Sequence, residues 1–106
     1  MVEFIRGQTV SIYAEISEED IPDLSEIWSI SMVINQNGLI KMDKKTADCY
    51  IEGRRIYTDL SQTDTLKFQE GSAEIQLSVL LENNSRCITK IGEVSVGRLL
   101  KEGVQT

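Results

Sequence analysis

The chain has 106 residues, 41% of them hydrophobic and 26% charged, with one proline and seven glycines scattered along it. That length suits a single domain over residues 1–106, and the composition is that of a folded globular protein rather than a disordered one. A net charge of -6 leaves no basic footprint for nucleic acid, and the absence of histidine excludes every mechanism that needs imidazole as general base or metal ligand.

The opening stretch MVEFIRGQTVSIYAEI holds one base and breaks its apolar residues with polar ones, so it predicts neither a signal peptide nor a membrane span. We expect the protein to be assembled in the cytoplasm, without membrane contact. Thr9 to Ile16 alternates strictly, with Val10, Ile12, Ala14 and Ile16 on one face, which predicts a half-buried strand. SEEDIPDLSE then reads as a long polar connection between sheets. From Gly7 to Ile40 the acids are Glu15, Glu18, Glu19, Asp20, Asp23 and Glu26 with no base, so the excess negative charge sits in this one segment.

Ile27 to Ile34 alternates again and places Trp28, Ile30, Met32 and Ile34 on one face, where a large aromatic is expected to anchor the core. Asn35 to Gly38 is a turn of residues that tolerate positive φ, predicting a hairpin that returns through Leu39 to Met42. DKKTAD reads as a polar loop, and Cys49 to Glu52 and Arg55 to Leu60 as two short strands around Gly53. Cys49 and Cys87 stand 38 positions apart without a CxxC partner, which is no zinc or redox spacing; we read them as buried free thiols, with an inter-strand disulfide as the alternative in an exported protein.

Ser61 followed by Asp64 fits a capping box, predicting a helical turn from about Gln62 to Phe68 that ends near Gly71. Leu66 or Phe68 should plug the end of the core. Ala73, Ile75, Leu77, Val79 and Leu81 form the longest alternation in the chain and predict a central strand. ENNS makes a second hairpin; its glycosylation pattern carries little weight without an export signal. Arg86 to Ile91 and Glu93 to Val96 complete the strands, with Gly92 as a bulge or break. Seven or eight short strands with one short helical turn predict an all-β, immunoglobulin-like, two-sheet antiparallel sandwich.

Several groups of residues invite a chemical reading. Glu18, Glu19, Asp20 and Asp23 could hold calcium, but their spacing fits no EF-hand and we read them as a solvated loop. GEVSVGRL at Gly92 to Leu99 echoes a phosphate loop, yet Arg98 and Leu99 replace its lysine and hydroxyl and the segment alternates like a strand. Asp59 and Asp64 are a candidate carboxylate pair, although capping already accounts for Asp64. Tyr13, Trp28, Tyr50 and Tyr57 could stack on sugar rings if several faced outward together. Exposed strand edges could accept another chain with no special residues at all. We therefore expect no catalytic, metal or cofactor-binding residues.

The assembled pattern resembles small β-sandwich proteins encoded among the structural genes of tailed phages and prophages of Gram-positive bacteria, and is similar to the N-terminal domain of phage baseplate upper proteins. The matching residues are Phe4, Gly7 and Thr9; Asp23, Leu24 and Ser25; Leu60, Ser61, Gln62, Asp64, Thr65, Leu66, Phe68 and Gly71; and Val94, Val96, Leu100, Gly103 and Val104. Asn83 and Asn84 stand where that group often has Asp-Gly or Asn-Gly. The resemblance implies a virion component without enzymatic activity, located in the host cytoplasm during assembly and then in the particle. Its partners would be other phage structural proteins or further copies of itself. A carbohydrate-binding or adhesion module is the alternative.

Overall fold

The computed structural model describes the backbone of residues 2–106 and the side chains of residues 3–106. In chain order its strands are β1 (Val2–Ile5), β2 (Val10–Glu15), β3 (Ile27–Gln36), β4 (Leu39–Lys45), β5 (Cys49–Glu52), β6 (Arg55–Leu60), β7 (Gly71–Leu81), β8 (Arg86–Ile88) and β9 (Gly92–Gly97). Helix α1 (Gln62–Leu66) and 3-10 turns at Leu24–Glu26 and Thr46–Asp48 lie between them. The larger sheet runs β1-β9-β7-β3-β4, with β8 also paired to β7, and the three-stranded sheet runs β2-β6-β5. The two-sheet, all-β sandwich expected from the alternation is thus the fold. It has nine strands among the described residues, and β1 departs from antiparallel pairing by lying parallel to β9, with Phe4 opposite Val96.

The alternating residues supply the interior. Ala73, Ile75, Leu77, Val79 and Leu81 of β7 and Ile30, Met32 and Ile34 of β3 are buried, facing Ile12, Ile56 and Leu60 of the smaller sheet in one hydrophobic cluster. Burying each large aliphatic side chain is worth about 1.5 to 3 kcal/mol, so the cluster holds the two sheets face to face. Phe68 closes one end of it, packed edge to face against Phe4 with ring centroids 5.3 Å apart. Of the two candidates for that plug, Leu66 is only half-buried.

The structure corrects the expected place of Trp28, which is 69% exposed. Ile27 pairs with Leu81 and Ser29 with the adjacent Leu80, so Trp28 is the extra residue of a β-bulge. The bulge reverses the alternation, turning Ile27 toward the core and Trp28 toward solvent. The connection before β3 also differs from a solvated loop. Ile21 within it is buried, and the guanidinium of Arg54 donates to the carbonyls of Ile16, Ser17 and Ile21, tying the acidic segment to the β5–β6 turn.

Asn37 and Gly38 have φ of 54° and 79°, the positive pair of a two-residue type I′ hairpin, and β4 continues three residues past the expected Met42 to Lys45. Helix α1 stops at Leu66 rather than Phe68, because Arg6 reaches from the β1–β2 loop and donates to the carbonyls of Leu66 and Phe68 at 3.1 and 2.5 Å. β8 ends at Ile88, where the Thr89 hydroxyl accepts from Leu77 N-H at 3.0 Å and stands in for a ladder partner. Gly92 opens β9 opposite Ile75 and is not itself a bulge. Cys49 and Cys87 are free, as expected, but half-buried rather than buried. Burial pushes both thiols up, away from the reactive thiolate.

Candidate functional site

The outward face of the three-stranded sheet gathers most of the aromatic side chains singled out in the sequence. Strands β2 and β5 both pair antiparallel with β6, so Tyr13, Tyr57 and Tyr50 fall into one row across the sheet. Period-two alternation sends these residues outward while Ile12, Ile56 and Thr58 turn in. Tyr50 and Tyr57 stack with centroids 5.3 Å apart and planes 8° from parallel, and Tyr13 leans on Tyr57 at 5.4 Å and 46°. Such cross-strand aromatic pairs each contribute about 0.2 to 1 kcal/mol, so the row is ordered before anything binds.

Charged residues frame the row. On one side Arg55 stands opposite Glu15 and Glu52; it lies 4.3 Å from the centre of the Tyr13 ring and 3.1 Å from Glu15. Tyr57, then Tyr13 and Glu15, raise the pKa of this guanidinium further above neutrality, so it is a fixed positive charge. On the other side Asp59 Oδ1 accepts from the Ser11 hydroxyl at 2.5 Å and the Tyr50 hydroxyl at 3.3 Å. Among the described residues no lysine or arginine pairs with Asp59 or Glu52. A groove of about 470 Å³ runs beside the free edge of β2, bordered by Ser11, Tyr13, Glu15, Lys90 and Glu93.

The remaining candidates do not come together. Trp28 belongs to β3 in the larger sheet, away from the tyrosines. Asp59 faces outward from β6, whereas Asp64 caps α1 and pairs with Lys44 at 3.1 Å, and the two carboxylates share no hydrogen-bond partner. Burial alone would raise the Asp64 carboxyl, but the Ser61 N-H and the Lys44 ammonium hold it below its ordinary value. The segment Gly92 to Gly97 is a strand paired on both sides, by β7 and β1, and so cannot wrap a phosphate. In the acidic segment Asp23 is occupied by Ser25, whose hydroxyl and N-H hold its carboxyl below the usual range, and no metal-ligating cluster forms among the described residues.

The sequence singles out the three tyrosines but not their frame of Glu15, Glu52 and Arg55. A signal was present: Tyr13-Ala14-Glu15 and Tyr50-Ile51-Glu52 repeat one Tyr-x-Glu pattern on the two strands that pair antiparallel with the strand of Arg55. Its meaning depends on the strand order, which the pattern alone does not supply. No described helix is long and apolar enough to cross a membrane. No family model matches the chain, and no curated protein matches it.

Proposed function

We propose that this protein is a non-enzymatic structural or assembly component of a phage or prophage, of tail or baseplate type, that works by binding a neighbouring protein or further copies of itself. The observation that carries the reading is the tyrosine row with Arg55 at its side. Tyrosine and arginine are the residue types that dominate binding energy at protein interfaces. Here they are ordered by their own stacking, so a partner meets little entropic penalty on docking. The motif resemblance at Leu60 to Gly71 and Val94 to Val104 supports the phage setting, which places the protein in the host cytoplasm during assembly and afterwards in the virion. The direct test is mass spectrometry of purified particles, with the Tyr50→Ala chain compared with wild type. Incorporation that falls in the variant supports the reading, and consistent absence of the wild-type chain from particles sinks it.

A carbohydrate-binding module is the second reading, favoured because Tyr13, Tyr50 and Tyr57 share one surface as it requires. Against it, the rings lie on one another, so Tyr57 offers mainly edges where a sugar needs an open aromatic face. A glycan array without hits would remove it.

A further inference from the structure

The face of the three-stranded sheet contains the same half-site twice. Tyr13 and Glu15 on β2, and Tyr50 and Glu52 on β5, are outward pairs two residues apart on parallel-running strands, and both glutamates stand opposite Arg55 of the strand between them. The first pair is complete, because the Arg55 guanidinium lies 4.3 Å from the Tyr13 ring centre and 3.1 Å from Glu15. The second pair holds no cation among the described residues, though Tyr50 is 42% exposed on an edge strand and the Asp59 carboxylate lies 3.3 Å from its hydroxyl.

We propose that Tyr50, Glu52 and Asp59 form a docking site for a basic segment of a partner protein, whose arginine or lysine side chain takes at β5 the place Arg55 takes at β2. This inference rests on the attachment reading and names the chemistry of the partner. A cation over a tyrosine ring gains from the ring quadrupole, and the flanking carboxylates add ion pairing and hydrogen bonds. Charge favours this partner over a second copy docked by the same face. Around the face Glu15, Glu18, Glu52 and Asp59 outnumber Arg54 and Arg55, and Arg54 is already committed to backbone carbonyls. Two copies meeting through this same face would bring like charge against like. The free edge of β5 lies beside the site, so a partner segment in extended form could pair with it while its basic side chains reach Tyr50 and Glu52.

The test titrates the isotope-labelled full chain with a peptide of alternating arginine and glycine, and in parallel with its glutamate-glycine counterpart, following backbone and tyrosine ring signals by NMR. The expected result is saturable shifts centred on Tyr50 to Glu52 and Asp59 with the arginine peptide alone. Binding should weaken about threefold in Glu52→Gln and fade as salt is raised, in line with exposed ion pairs. Glu52 is exposed at the surface, so this variant should keep its fold, checked by unchanged shifts in β3 and β7. No shifts at β5, equal shifts from the glutamate peptide, or dimerisation of the free chain through this face would each overturn the proposal. Loss of particle incorporation in Tyr50→Ala without any response to the arginine peptide would keep the attachment reading and reject the basic partner. A specific response to the arginine peptide from a chain absent from particles would do the reverse.

Discussion

At the scale of single residues, side chains from distant parts of the sequence hold the backbone of the connections. Gln36 is buried at the end of β3; its amide donates to the Gln69 carbonyl and accepts from the Gln69 N-H, both at 2.7 Å. Gln36→Leu keeps the volume but leaves both backbone groups without partners, so urea unfolding should show a loss of about 1 to 3 kcal/mol. Asp64 works similarly at the start of α1, accepting from Ser61 N-H at 2.9 Å and pairing with Lys44 of β4. Asp64→Ala should cost about 1 to 2 kcal/mol at neutral pH. Because the folded carboxyl is held below its unfolded value, its contribution is full above that value, about 3.8, and is lost as the pH falls through the folded one. Unfolding measured down the acid range should therefore find variant and wild type converging. Trp28 gives a third outcome: its fluorescence should resemble that of a solvated indole and be readily quenched by acrylamide, which a core tryptophan would resist.

At the scale of elements, the hairpins and the start of α1 were the most legible parts of the chain. The Asn37-Gly38 turn and the Ser61 to Asp64 capping box each depend on a few adjacent residues, and the structure contains both. A Cβ at Gly38 would meet nothing within 4 Å, so Gly38→Ala tests conformation alone. At φ 79° it should cost about 1 to 2 kcal/mol of stability, measurable as a lower Tm, with contacts elsewhere unchanged. The strands β5 and β6 begin and end where the glycine and the alternation predicted. The end of α1 was less legible, since it depends on Arg6, some sixty positions away in sequence.

For the whole molecule, the open edges matter most. β1 and β4 end the larger sheet and β2 and β5 the smaller one, so each offers unpaired backbone groups. β4 places Lys41 and Lys45 along its edge beside the exposed Leu39 and Ile40, a charged guard against indiscriminate pairing. Replacing Lys41 and Lys45 together by valine should shift sedimentation profiles toward oligomers, while an unchanged monomer profile would show that β4 is blocked by other means. β5 has one acid, Glu52, and no base, so the two edges differ in the charge they present to an approaching chain.

The sequence by itself determined the fold class and the inward residues of the regular strands, because both follow from period-two alternation and turn chemistry within short windows. It also named Tyr13, Tyr50 and Tyr57 as candidates, and left open whether they would meet. Only the tertiary structure placed them in one row, since that depends on which strand lies between which others. The same pairing decided the fate of Trp28, where an extra residue opposite Leu80 and Leu81 reversed the alternation that had assigned it to the core. Local pattern fixes which way a side chain points relative to its neighbours; register and strand order fix what it meets.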